Sequence, residues 1–207
     1  MIRMSQLYID CYERLTGQEF VPYTGDDLEA QIAASLEFFR PERLAALTPA
    51  TIQVFVGSRS DLPQICNAYR FFKALPQITL TASIVSCDRN PKVIRQIAID
   101  FGAEGHEMSA DAIVAAAGLS ARLASALKSW LVCLGKSEIP VFGVGMIGKT
   151  EEETQAARLA IEMVPGQPLE GAFMGQAGMF DALRAAAEGN FTVRTIKHKP
   201  YERDIQV

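Results

Sequence analysis

Histidine is nearly missing from this chain: His106 and His198 are the only two in 207 residues. Cysteine is sparse too, at positions 11, 66, 87 and 133, with no CxxC spacing. Both shortages argue against a zinc site, whose ligands come from clustered Cys and His. Scattered free thiols fit a reducing compartment. No run of Lys or Arg occurs and the formal net charge is −4, so nucleic acid and anionic membrane are poor partners. Lys128 and Lys136 interrupt the longest apolar region, which therefore falls short of membrane-spanning length. The N-terminus lacks a secretory pattern, and neither tandem repeats nor low-complexity tracts are visible. These exclusions leave a soluble, cytoplasmic protein. Its 49% apolar and 21% charged composition supplies ample material for a core.

What is present from residue 51 onward is an alternating rhythm. TIQVFVG (51–57), ITLTASIVS (78–86), DAIVAAAG (111–118), IPVFGVG (139–145) and LEGAFMG (169–175) read as short apolar strands. Each is followed by a helical pattern: 62–75, 91–105, 119–134, 150–163 and 176–189. Five strand-then-helix units predict an α/β fold, a three-layer flavodoxin-like parallel sheet with helices on both faces. Residues 1–50 differ. LYIDCYERLTGQEF (7–20) and TGDDLEAQIAASLEFF (24–39) read as two helices, the second ended by Pro41, and form an N-terminal helical appendage. The expected division is 1–50 appendage, 51–190 α/β domain, and 191–207 a C-terminal edge segment (FTVRTI) and tail.

In an open parallel sheet, ligands bind beyond the carboxyl ends of the strands. The turns of interest are therefore 57–63, 86–91, 117–125, 143–150 and 175–178. GSRSDLP (57–63) offers a flexible Gly57, the hydroxyls of Ser58 and Ser60, and a helix N-terminus whose N–H groups can hold a phosphate. Asp61 is placed to accept from a sugar hydroxyl. The plainer reading, equally open here, is that Ser60 or Asp61 caps the helix. The turn lacks P-loop spacing. In SCDRNP (86–91), Arg89 brings a fork of donors suited to a phosphate; the alternative is an ion pair with Asp88. Arg122 falls in the first turns of its helix, where the helix dipole disfavours a cation; it is either a used residue or a surface one. Cys87 reads as a small filler, His106 as a surface residue at the amino end of the sheet, and His198 as part of a basic tail.

These turns resemble the AIR carboxylase and carboxyaminoimidazole ribonucleotide mutase family of purine biosynthesis, over residues 52–188. GSRSDLP is similar to the family's GS-K/T-SD signature, and IVSCDRNP (84–91) sits at its V-SAH-R/K-x-P turn. VAAAGLSARLAS (114–125), IPVFGVG and MVPGQPLEGAF (163–173) follow its later strand regions. The resemblance implies substrate-binding roles for Gly57, Ser58, Ser60, Asp61, Ser86, Arg89, Gly118 and Ser120. It implies carbon dioxide as co-substrate, no metal or organic cofactor, and a homo-oligomer, an octamer. LYIDCYERLTGQEFV (7–21) also resembles the C-terminal helix of SAICAR synthetases, with a Y-x-x-x-YE-x-LTG pattern. Animal bifunctional enzymes fuse the synthetase before the carboxylase. The expectation is thus a synthetase tail ahead of a carboxylase-like domain, with the synthetase fused or associated.

The resemblance places the family's proton-shuttling His where this chain has Asp88. Where the bacterial mutases carry a second His, the aligned residue is Arg122. Against the animal-type AGRSNGLGP turn, the chain keeps Ala117, Gly118, Ser120 and Leu123 but has Leu119 and Ala121 for Arg and Asn. A proton shuttle works best with a pKa near the operating pH. An ordinary aspartic acid, with a pKa of about 3.9, lies some three units below that, roughly 4 kcal/mol. The binding frame therefore survives better than the catalytic centre. Three readings follow: a ligand-binding domain with a degenerate site, an active enzyme using Asp88 as its shuttle, or an oligomerisation platform for the synthetase. An unrelated flavodoxin-like phosphate binder is a fourth.

Overall fold

A computed structural model describes residues 37–102, 109–164 and 169–189, together with Ile9 and Phe191. The chain divides into two compact units, residues 1–46 and 47–207. In the first, Pro41 opens a five-residue helix, Pro41–Ala45, rather than only closing the one before it. Glu37 pairs with Arg40 at 2.9 Å. The helix expected at 7–20, most of that at 24–39, the FTVRTI segment beyond Phe191, His106 and His198 lie outside the described residues.

The second unit is built from βα repeats. The strands are β1 (Ala50–Val56), β2 (Ile78–Ile84), β3 (Ala112–Ala117), β4 (Val141–Gly145) and β5 (Gly171–Met174). The helices that follow them are α1 (Leu62–Lys73), α2 (Pro91–Asp100), α3 (Leu123–Cys133), α4 (Glu151–Glu162) and α5 (Gly175–Glu188). The sheet is entirely parallel, in the order β2-β1-β3-β4-β5. This is the flavodoxin-like order, in which the chain runs from β1 out to β2 and then crosses back over β1 to β3. The central strands β3 and β4 are buried at every residue, which explains why their sequences are continuously apolar. Helix α5 packs on α1, and α2 packs on α3. Pro63 and Pro91 sit in the first turns of α1 and α2, and Gly189 ends α5 in the left-handed conformation.

Helix α3 starts four residues later than the apolar pattern predicts. Leu119 and Ala121 have positive φ (49° and 33°), and the Ala121 N–H donates to Gly118 O at 3.0 Å. Residues 119–122 are therefore a turn, and Arg122 is the N-cap rather than a helical residue. Strand β2 is atypical for a parallel sheet, since Thr81, Ala82, Ser83 and Ile84 are all exposed.

Two lysines fasten the connection between α3 and β4. Lys128, fully buried, donates to Ser137 O (2.9 Å) and Ile139 O (2.6 Å). Lys136 donates to the carbonyls of Ala98, Ile99 and Phe101, at the C-terminal end of α2. A cation there complements the helix dipole and satisfies carbonyls that the helix leaves open. No helix among the described residues is long and apolar enough to cross a membrane.

Candidate functional site

The turns after β1, β2 and β3 converge on one cavity of roughly 400 Å³. Its lining comes from 57–61, 86–89 and 117–123. It sits at the carboxyl ends of the strands, over the switch point where β1 lies between β2 and β3.

The β1 turn is a tight 3-10 element, Arg59–Asp61. Ser58 caps it: its Oγ accepts from the Ser60 N–H (3.3 Å) and from the Ser60 hydroxyl (2.9 Å). The side-chain cap thus belongs to Ser58 on the 3-10 turn, while Asp61 occupies the N-cap position of α1. The Asp61 carboxyl makes no cap bond. It turns inward and is only 8% exposed. Burial raises its pKa above the usual 3.8, opposed by hydrogen bonds from the backbone of Gly118 and Ser58 and from Ser60. The two glycines make room for it. A Cβ on Gly118 would stand 3.2 Å from Asp61 Oδ1, and one on Gly57 would stand 2.9 Å from the Ala117 Cβ.

In the β2 turn, Ser86 Oγ accepts from the Arg89 N–H (3.3 Å) and Nε (3.2 Å). Asp88 does not pair with Arg89. Its Oδ1 instead accepts from Arg122 Nη2 at 2.6 Å, across 34 positions of sequence. Both side chains are 59% exposed, so the pair lies at the open side of the cavity. Arg122 is therefore a lining residue bonded to the neighbouring turn. Its place follows from the kinked turn, because a helix begun at Leu119 would have set it elsewhere. Cys87 packs against the apolar core. Burial first, and the Asp88 charge second, push its thiol pKa up, while Arg122 pulls it down. A raised pKa favours the protonated thiol, which suits a small filler at the edge of the core.

All nine residues singled out from the sequence line this cavity: Gly57, Ser58, Ser60, Asp61, Ser86, Asp88, Arg89, Gly118 and Ser120. The cavity lining does not draw on the turns at 143–150 and 175–178. The letters of GVGMIGKT (143–150) also fit the G-x-x-x-x-G-K-T phosphate-loop spacing between a strand and a helix. Four consecutive amides of the turn are engaged internally. Those of Met146, Ile147, Gly148 and Lys149 donate to Ala117 O, Gln64 Oε1, Thr154 Oγ1 and Glu153 Oε2. A Cβ on Gly148 would fall 2.3 Å from that of Glu153. The stretch Met146–Lys149 is taken up by its own helix cap and so does not offer those amides to an anion.

Hydroxyls, an arginine fork and a buried carboxylate gather at the switch point of a flavodoxin-like sheet, groups whose chemistry suits a small, hydroxylated, anionic ligand. Comparison with known proteins narrows this class. Residues 51–199 match the AIR carboxylase family, and the chain belongs to that family of purine biosynthesis. It is also 26% identical over 157 residues to the N5-carboxyaminoimidazole ribonucleotide mutase of Pseudomonas aeruginosa. That alignment covers 76% of this chain and 87% of the mutase.

Proposed function

We propose that the domain binds aminoimidazole ribonucleotide or its carboxylated form at this cavity, and that its catalytic centre is degenerate. Ser58, Ser86 and Arg89 receive the 5′-phosphate, with Gly57 and Ser60 shaping the β1 turn. Asp61 accepts from the ribose hydroxyls, and Gly118 and Ser120 face the heterocycle. Carbon dioxide is the co-substrate of the family's exchange, and the reading requires no metal or organic cofactor. The observation that carries it is the Asp88–Arg122 pair. Asp88 stands where the family resemblance places a histidine, and its Oδ1 is held by Arg122 at 2.6 Å, so an acid paired with a guanidinium takes the place of an imidazole.

The test is decarboxylation of carboxyaminoimidazole ribonucleotide, followed by ultraviolet absorbance, alongside a binding measurement. The expected result is binding with negligible turnover in the wild type, and turnover restored by Asp88→His. One observation favours a second reading: Asp88 lines the same cavity as the phosphate residues, as an acid serving as the shuttle must. Wild-type turnover that Asp88→Ala abolishes would establish that reading. A homo-oligomer, an octamer by the resemblance, is supported by the exposure of Thr81–Ile84 on the outer strand β2. An associated SAICAR synthetase is supported only by the sequence of residues 7–21. Free thiols at Cys66, Cys87 and Cys133 suit a cytoplasmic setting.

A further inference from the structure

We infer that Arg122 reads a carboxylate on the bound ribonucleotide, releasing Asp88 to do so, and that the cavity thereby selects carboxylated over uncarboxylated ligand. The inference rests on the ligand class proposed above. Two guanidinium groups line the cavity, from different turns. Arg89 is tied by its Nε to Ser86, on the turn assigned to the phosphate. Arg122 arrives from the β3 turn and belongs to a second anionic subsite.

Three observations suit Arg122 to exchange one carboxylate for another. It already holds a carboxylate, at 2.6 Å, through Nη2. Among the described residues no other acceptor engages its guanidinium, so a ligand carboxylate can take the two-pronged contact that Asp88 lacks. The pair it would leave is 59% exposed on each side, and ion pairs that open to solvent contribute little. Backbone strain supports the assignment. Leu119 and Ala121 hold positive φ without being glycine, and that conformation sets Arg122 at the N-cap. Such strain gathers where a site needs a particular geometry. Asp88 then acts as the internal competitor for Arg122, and it sets how strongly the ligand must bind to displace it.

The experiment uses calorimetric titration of the full chain with two probes, imidazole ribonucleotide and its 4-carboxylate. Both lack the ring amino group, so neither undergoes the family's exchange. The wild type should prefer the carboxylate. Arg122→Gln should weaken the carboxylated probe by about tenfold or more, leaving the other within about twofold. Arg122→Lys, which keeps the charge but not the fork, should fall between. Asp88→Asn, which removes the competitor, should tighten the carboxylated probe several-fold. Equal wild-type affinities, an equal loss for both probes, or no loss on Arg122→Gln overturns the inference and leaves the ribonucleotide site standing. Failure of the wild type to bind either probe overturns the ribonucleotide reading, and this inference with it.

Discussion

Replacing Lys128 with methionine isolates one buried cation at nearly constant volume. The wild-type ammonium is fully buried and donates to Ser137 O and Ile139 O, at 2.9 and 2.6 Å. Methionine fills the space and leaves both carbonyls without that donor. Each lost charge-assisted bond costs about 1.5–3 kcal/mol. Relief from burying an ammonium returns part of this, since the effective penalty for one buried ion is several kcal/mol. A net loss of about 2 kcal/mol at neutral pH is expected. The pH dependence is the sharper test. Burial lowers the Lys128 pKa below 10.5, against the attraction of Glu170 and Glu138. The unfolded chain then binds this proton more tightly than the folded one. Wild-type stability therefore rises as pH climbs from the lowered pKa towards 10.5, and this contribution is flat below that window. The methionine variant lacks the slope. Urea unfolding followed by circular dichroism, from neutral pH to about pH 10, should show the gap between the two proteins widening. A gap that narrows with pH, or a neutral-pH loss below about 0.5 kcal/mol, would refute the reasoning.

Asp61 has the opposite sign. Burial lifts its pKa above 3.8, so the folded state holds the proton more tightly and wild-type stability declines as pH rises from 3.8 through the lifted value. Thermal melts across mildly acidic pH should show the wild-type advantage over Asp61→Asn shrinking in that interval. Gly57→Ala drives a methyl to 2.9 Å from the Ala117 Cβ. It should destabilise by about 1–3 kcal/mol in chemical denaturation, as overpacking does.

The parallel sheet was readable because β3 and β4, covered on both faces, need unbroken apolar sequence, and because Pro63, Pro91 and Gly189 mark helix ends by their covalent geometry. The three strand-end turns marked out by residue type do come together around one cavity. What did not show depends on the backbone or on distance. The apolar spacing of LSARLAS continues the α3 pattern backward, and nothing in Leu119 or Ala121 announces a positive φ. The Asp88–Arg122 contact joins residues 34 apart that meet only once β2 and β3 flank β1. Lys128 looks like an interruption of an apolar run, yet it is buried, because two loop carbonyls within reach repay the ammonium. GVGMIGKT carries the converse lesson: matching letters do not make an anion site when the amides of Met146 to Lys149 are already engaged.

The kinked turn at 118–122 has a consequence for any laboratory selection. A non-glycine residue held at positive φ costs on the order of 1 kcal/mol or more. Leu119 is 61% exposed, so it contributes little burial to offset that cost. A library screened for heat resistance should enrich glycine or asparagine at position 119, since both residues tolerate this conformation. Either residue keeps the same backbone course, so Arg122 should still reach the cavity, and hardier descendants should keep their discrimination between ligands.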